Sequence, residues 1–151
     1  MSEFILIKYS RGDGLAHALA TLEKGILGIP EMTSNGCRIA VALEKATAKD
    51  PVYVAIYCDG GIIAVGTTLN SFYIDRRTKP FSEDPRNPQE VWGKRIRLMT
   101  MVNVNKKITR QELKDDMDIN IVKGTAQYIT EGQWISMKNR LASRRGKSVT
   151  G

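Results

Sequence analysis

The chain has 151 residues, of which 42% are hydrophobic and 26% are charged, and it carries a formal net charge of +7. These values predict about one globular domain and exclude a disordered chain. No apolar run reaches the roughly 20 residues that a membrane span needs, and the N-terminal residues lack the pattern of a signal peptide. We therefore expect a cytoplasmic protein with no membrane partner, whose basic surface favours polyanions such as nucleic acid.

The first strand is predicted from Phe4 to Tyr9, an apolar and β-prone run that ends before Gly12 and Gly14. A helix follows, because apolar residues recur at helical spacing at Leu15, Leu19 and Leu22. His17, the single histidine, is expected on this helix as a partly exposed residue. The next segment, Gly25 to Pro30, contains two glycines and a proline and predicts a short strand or a shaped loop.

A second helix is predicted after Ser34 or Asn35, either of which can cap its first turn. Its apolar face is expected to contain Ile39, Leu43 and Ala46. The region ends at Asp50-Pro51.

The clearest local pattern is a β-hairpin. Val52 to Cys58 and Ile62 to Leu69 are β-rich runs, and Asp59-Gly60-Gly61 between them has the chemistry of a tight turn. Both runs are apolar almost throughout, which predicts central strands covered on both faces. Strand character is expected to extend through Phe72 and Tyr73.

Residues 75–88 combine three prolines with four basic residues and show no periodicity. A loop of this length is typically functional or disordered. Residues 94–104 return to strand, with apolar side chains at Ile96, Leu98 and Val102 on one side and Arg95, Arg97, Met99 and Met101 on the other.

Two further helices begin with capping boxes. Thr109 and Glu112 form the first box and Thr130 and Gln133 the second, and each has an apolar staple, Ile108 with Leu113 and Ile129 with Trp134. The staple predicts that Trp134 packs in the core. Short strands are expected at 119–122 and 125–128, and the last helix is expected to continue through Leu141. We expect Arg140, Arg144, Arg145 and Lys147 at a solvated helix end or in a linker toward another domain.

The order of elements predicts an α+β fold, a single curved mixed sheet or open barrel flanked by helices. One domain is expected at residues 1–145, with 146–151 as a flexible tail or a linker to a further domain.

Catalytic and metal-binding patterns are absent from the sequence. Cys37 and Cys58 lack the spacing of zinc ligands, so we expect both as small core residues and no metal or cofactor. Asp115, Asp116 and Asp118 lack an accompanying histidine and are expected as surface charge. There is no nucleophile elbow and no phosphate loop. We therefore predict a binding module rather than an enzyme.

The order of these segments resembles the PUA-like superfamily in its EVE and YTH branches. The resemblance covers about residues 4–141 and rests on short motifs in a matching order: Gly25 to Glu31, Val52 to Gly66, Pro85 to Pro88, Trp92 to Leu98, Ile108 to Lys114 and Tyr128 to Trp134. It implies the PUA-like fold. It also implies that a modified base is flipped from its strand into an aromatic-lined pocket, where stacking and hydrogen bonds offset the cost of unstacking.

Carried over by position, the resemblance assigns the base pocket to Leu27, Ile29, Ser34, Asn35 and Trp92. One departure is Leu27, because YTH domains have a tryptophan at this place as one wall of the cage. We expect this wall from Phe72, Tyr73 or Phe81 instead, and at most one of Phe72 and Tyr73 faces the ligand because neighbouring strand residues point to opposite sides. Phosphate contacts are expected from the basic loop and the strand after it, at Arg76, Arg77, Lys79, Arg86, Arg95 and Arg97.

The leading hypothesis is a reader of methylated adenine or cytosine in DNA, similar to the specificity domains of McrB-like restriction enzymes, with an AAA+ or nuclease partner. Two alternatives stay open. One is a small amidohydrolase of the ASCH branch acting on modified nucleosides, for which Lys24 is available but no complete catalytic trio is visible. The other is a reader of modified RNA, because contacts to the 2′-hydroxyl have no sequence signature.

Overall fold

The structure is a computed structural model that describes residues 3–9, 18–19, 22–29, 43–74, 94–122 and 126–150. For Ile29, Lys94 and residues 145–150 it describes the backbone alone. The described strands are β1 (Glu3–Lys8), β2 (Ile26–Ile29), β3 (Val52–Cys58), β4 (Gly61–Thr68), β5 (Tyr73–Ile74), β6 (Lys94–Val102), β7 (Ile108–Thr109) and β8 (Ala126–Tyr128). The helices are α1 (Arg110–Met117) and α2 (Glu131–Thr150), and residues 18–19, 22–24 and 43–44 are also helical.

The described strands form one mixed sheet in the order β2-β6-β4-β3-β1-β8, with β5 pairing β6 and β7 pairing β4. Strands β1 and β3 are parallel, and the other pairs are antiparallel. The predicted α+β class with a curved mixed sheet is therefore confirmed. The predicted strand at 119–122 is wrong, since these residues are irregular and Gln127 binds them through its side chain, from Nε2 to Asn120 O at 2.9 Å.

The predicted hairpin is confirmed, and it supplies the two central strands. Asp59 and Gly60 form the turn with positive φ angles of 52° and 84°. In β3 and β4 all but three residues are buried, the exceptions being half-buried Tyr53, Tyr57 and Thr67. Val52 N–H donates to Thr68 Oγ1 at 2.9 Å, which ties the two open ends of the hairpin together.

Side chains alternate between two cores because successive residues of a strand point to opposite faces. The helix-side cluster lies beneath the two helices and contains Leu6, Ala55, Ile62, Val65, Ile108, Leu113, Met117, Ile119, Trp134, Met137 and Leu141. The barrel-side cluster contains Ile5, Ile7, Leu27, Leu43, Ala46, Val52, Val54, Ile96, Leu98 and Ala126. Leu43 and Ala46 are buried as predicted, and Cys58 is a buried free thiol in a third cluster with Ala18 and Ile56.

Trp134 is a core residue, as its staple position predicts. It is 6% exposed, and its indole Nε1–H donates to Val54 O at 2.8 Å. Tyr53 meets its ring edge-on at a centroid distance of 4.9 Å and stacks on Phe4 at 4.8 Å. These three rings form part of the helix-side core rather than a platform for bases.

Both capping boxes are present. Glu112 N–H donates to Thr109 Oγ1 at 3.2 Å, and Thr109 N–H donates to Glu112 Oε1 at 3.4 Å. At α2, Gln133 N–H donates to Thr130 Oγ1 at 3.1 Å, and Thr130 N–H donates to Gln133 Oε1 at 2.9 Å. Each helix start is therefore fixed by a local sequence signal.

Glu112 also joins α1 to α2. Its Oε2 accepts from Arg140 Nη1 at 3.1 Å and from Arg144 Nη2, while Arg140 also binds Asp116 at 2.7 Å. Arg144 Nη1 donates to Lys107 O at 2.9 Å in the turn before β7. The expectation of a merely solvated helix end is therefore wrong for Arg140 and Arg144, which bind α2 to α1.

We expect Glu112→Gln to lower the free energy of unfolding by about 1–3 kcal/mol at pH 7, because two arginines lose a charged acceptor while the capping geometry is kept. Burial alone would raise the pKa of Glu112, but hydrogen bonds and charge from Arg144, Thr109 and Arg140 outweigh it and lower the pKa. The ionised carboxylate therefore stabilises the fold above its unfolded-state pKa, and this contribution is lost as the pH falls through the folded-state pKa.

Urea unfolding measured from pH 7 down to pH 3 checks this expectation. The difference between the wild type and Glu112→Gln should shrink as the pH falls below about 4.5, the ordinary pKa of a glutamate. A difference that stays constant over this range would contradict the assigned role of the charge. Glu131→Gln, an exposed acidic residue in the first turn of α2, is the matched control.

Helix α2 continues through Leu141, as predicted, and extends to Thr150. Whether residues 146–151 lead to a further domain stays a prediction. None of the described helices is long and apolar enough to span a bilayer.

Candidate nucleic-acid interface

The region that sequence analysis assigns to the base pocket lies where β6 begins. Here β6 is flanked by β2 on one side and by β5 on the other, with Arg95 opposite both Gly28 and Tyr73. The predicted pocket residues of β2 and β5 are thus brought to neighbouring strands. Trp92, Ser34, Asn35 and the basic residues Arg76, Arg77, Lys79 and Arg86 lie outside the described residues, so their predicted roles stay predictions.

Leu27 belongs to the barrel-side cluster and is only 2% exposed. Its partner across the strand pair is the equally buried Ile96. A side chain this deep contributes to the core beneath the region and offers almost no surface to a ligand. The contact of Leu27 with a base stays a prediction. The same holds for Ile29, the last residue of β2, for which the structure describes only the backbone.

Phe72 and Tyr73 precede and begin the short strand β5. Both are half-buried, and Phe72 packs against the barrel-side cluster. Tyr73 lies opposite Arg95, whose side chain is 2% exposed. Partial exposure leaves each ring some surface, and the contact of either ring with a base stays a prediction.

The two arginines of β6 have different environments. Sequence analysis expected both at the surface, but Arg95 is buried, so it is not one of the surface cations of the free protein. Arg97 is exposed, and its backbone N–H donates to Asn70 Oδ1 at 2.9 Å. Strand alternation predicts Arg95 and Arg97 on the same face of β6, but it cannot predict that Arg95 is buried while Arg97 is exposed.

A cleft at the other end of the hairpin was not anticipated from the sequence. It has a volume of about 540 Å³ and lies between the hairpin turn, the first turns of α1 and the segment that follows α1. We call it the α1 cleft, and it is lined by Gly60, Thr109, Arg110, Gln111, Lys114, Ile119, Asn120 and Ile121. The Arg110 N–H donates to Gly60 O at 3.1 Å and so fixes α1 against the turn.

The α1 cleft is basic. Arg110 and Lys114 are exposed, and the nearby Arg110 charge, after burial, lowers the pKa of Lys8 at the end of β1. Four-residue spacing places Arg110 and Lys114 on the same side of α1. The spacing of these two cations was visible in the sequence, but the segment 119–121 that completes the cleft could not be placed beside them without the fold.

Within the part of the chain that the structure describes, no group of three or more histidine, cysteine, aspartate or glutamate side chains could hold a metal ion. The pKa of the Cys58 thiol is raised, chiefly by burial, which makes it a poor nucleophile.

Comparison with known proteins identifies the fold. No protein-family model matches the sequence, and no curated protein matches it. Among solved structures, the Pho92 YTH domain in complex with m6A matches with a TM-score of 0.63 and 18% identity, over 93% of this chain and 83% of that one.

The chain has the fold of a YTH domain.

Two further matches agree with this assignment. The YTH domain of Zygosaccharomyces rouxii MRB1, in complex with N6-methyladenosine RNA, gives a TM-score of 0.62 and 17% identity over 93% of this chain and 86% of that one. The Toxoplasma CPSF4 YTH domain, in complex with a 7 mer m6A-modified RNA, gives 0.59 and 16% over 94% and 91%. At identities this low, the structural similarity shows the YTH fold alone. None of these three matched structures is a restriction enzyme.

Proposed function

We propose that this protein is a reader of a modified base in RNA, with N6-methyladenosine as the first candidate. The observation that carries the proposal is the YTH fold, shared over nearly the whole chain with domains solved in complex with m6A or m6A-modified RNA. These neighbours favour the RNA alternative of the sequence analysis over modified DNA.

The described residues are consistent with such a role. The half-buried rings of Phe72 and Tyr73 lie beside the start of β6, and the exposed Arg97 on that strand offers a cation to a phosphate. The net charge of +7 favours association with a polyanion. Within the proposal, Trp92 supplies a ring that stacks on the flipped base, as the resemblance implies.

A binding titration tests the proposal. Fluorescently labelled 9-nucleotide RNAs with one central N6-methyladenosine or adenosine are compared with matched DNA strands. We expect about a five- to tenfold preference for methylated RNA, because burying one methyl group contributes about 0.8 kcal/mol and a tight aromatic pocket adds to it. Trp92→Ala should remove this preference, whereas Ile135→Ala, at an exposed position on α2, should keep it.

Equal affinity of the wild type for methylated and unmethylated strands would contradict the proposal. A preference for methylated DNA over methylated RNA would restore the original DNA hypothesis. Thermal unfolding of each variant shows whether a loss of binding reflects a loss of folding.

A further inference from the structure

The α1 cleft collects positive charge that the described residues do not neutralise. Arg110 and Lys114 both line it, and two like charges at this spacing destabilise an isolated helix by a few tenths of a kcal/mol. Within the described residues neither forms a salt bridge, although Asp118 follows Lys114 by four positions. The helix therefore carries an unfavourable charge pair at the cleft.

Three carboxylates near the cleft bind other groups. Asp59 binds Lys107 at 3.4 Å, and Asp115 Oδ2 accepts from Gln111 Nε2 at 2.8 Å. Glu112, between the two cations in sequence, binds Arg140 and Arg144 on the far side. None of these three carboxylates bonds to Arg110 or Lys114, so both cations keep their charge at the cleft.

The shape of the cleft suits part of an extended ligand. Its volume of about 540 Å³ lies in the range of small-molecule sites. The buried Ile119 and half-buried Ile121 give it an apolar wall, while Asn120 adds a polar group at the rim. Because the two cations are exposed, a phosphate that is part of a nucleic-acid strand can reach them.

The α1 cleft is separate from the predicted base pocket. It adjoins Gly60 and the Gly61 end of β4, whereas the described pocket residues Phe72 and Tyr73 follow the Thr68 end. β4 has eight residues, which at about 3.3 Å per residue is roughly 25 Å. A ligand that occupies both places must therefore be a strand of several nucleotides.

We propose that the α1 cleft binds a backbone phosphate of the nucleic-acid strand, held between Arg110 and Lys114 and separate from the base that the pocket reads. The inference rests on the proposed function for the identity of the strand. It assigns the cleft a role in affinity and in the path of the strand, and none in recognising the modification.

The test is a salt titration of the double variant Arg110→Gln/Lys114→Gln against the 9-nucleotide RNAs. Removing one phosphate contact should weaken binding of both methylated and unmethylated strands by about tenfold at low salt and reduce the slope of log K against log salt by about 1. Lys138→Gln removes an exposed cation of α2 that does not line the cleft and is the matched control, for which slope and affinity should stay unchanged.

The N6-methyladenosine nucleoside, which has no phosphate, separates the two proposals. If the pocket reads the base, the nucleoside should bind the double variant and the wild type equally. If the double variant keeps the wild-type salt slope and the methyl preference, the phosphate site in the α1 cleft is wrong, while the proposed reading of a modified base is unaffected. If the double variant has a reduced salt slope but the wild type shows no methyl preference, the proposed reading of a modified base is wrong, while the phosphate site is supported.

Inorganic phosphate distinguishes a strand from a free anion. Amide chemical shifts of Gly60 and Asn120 are followed by NMR during titration with inorganic phosphate or with the 9-nucleotide RNA. We expect shifts with the RNA at micromolar concentrations and with phosphate only at millimolar concentrations, as an isolated contact is weak. Comparable affinity for the two ligands would overturn the strand proposal in favour of a free-anion site.

Discussion

Trp134→Ala is expected to lower the free energy of unfolding by about 3–5 kcal/mol, the usual cost of truncating a buried tryptophan. The indole is 6% exposed, bonds to Val54 O at 2.8 Å and packs against the rings of Phe4 and Tyr53. Its removal leaves a cavity between α2 and the strands β1 and β3. Urea unfolding monitored by circular dichroism measures the loss.

Two further variants locate the cause of this loss. Trp134→Phe keeps most of the ring and removes the N–H donor, so it should cost less, about 1–3 kcal/mol. Ile135→Ala changes the neighbouring exposed residue and should stay within about 0.5 kcal/mol of the wild type. A loss below about 1.5 kcal/mol for Trp134→Ala would show that α2 does not depend on this contact.

Gly61→Ala is expected to destabilise the protein by about 2–4 kcal/mol, because the added methyl group meets backbone that cannot move aside. A Cβ at this position would lie 2.4 Å from Ile108 O and 3.1 Å from Ile108 C. The register of β7 against β4 therefore requires glycine. Since β7 leads directly into α1, the substitution should also displace the α1 cleft.

Denaturant unfolding and RNA affinity, measured together, check this coupling. Gly132→Ala in α2 is the matched control, since its Cβ would meet nothing closer than Thr130 Oγ1 at 4.0 Å. Alanine is a better helix former than glycine, so this control should be neutral or stabilising by up to about 1 kcal/mol. A fully stable Gly61→Ala protein would mean that β7 does not lie this close to Gly61.

Much of the fold could be predicted because its signals are local. The turn Asp59-Gly60-Gly61 has the chemistry of a tight hairpin, and the runs on either side were apolar enough to be recognised as central strands. The boxes at Thr109 and Thr130 predicted both described helix starts, because a cap involves residues only three positions apart. Neither the hairpin nor the caps depended on knowing which strands are neighbours.

The features that were missed depend on contacts between distant parts of the chain. Arg95 is buried at a place where β2, β5 and β6 meet, which strand alternation cannot reveal. Arg144 binds Glu112, 32 residues away, so its role was invisible in the charge pattern of the last helix. The strand expected at 119–122 is absent because Gln127 bonds to this segment through its side chain.

The candidate site was only partly predictable for the same reason. The resemblance assigned Leu27 to the base pocket and left Phe72 or Tyr73 as a substitute wall, and the structure shows that β2 and β5 both pair with β6. The α1 cleft needed three segments far apart in sequence, so Arg110 and Lys114 appeared in the sequence only as two ordinary helix cations.

The parallel pairing of β1 with β3 has a consequence for synthesis on the ribosome. β1 is synthesised before β3 and β8, yet it lies between them in the sheet. One edge of β1 can pair only after β3 has been made up to residue 58, and the other only after β8 has been made up to residue 128. Until then its unpaired edge can join with other chains, a hazard of late-closing sheets. One edge of β1, with its buried residues Ile5, Leu6 and Ile7, therefore stays unpaired until nearly the whole domain has emerged.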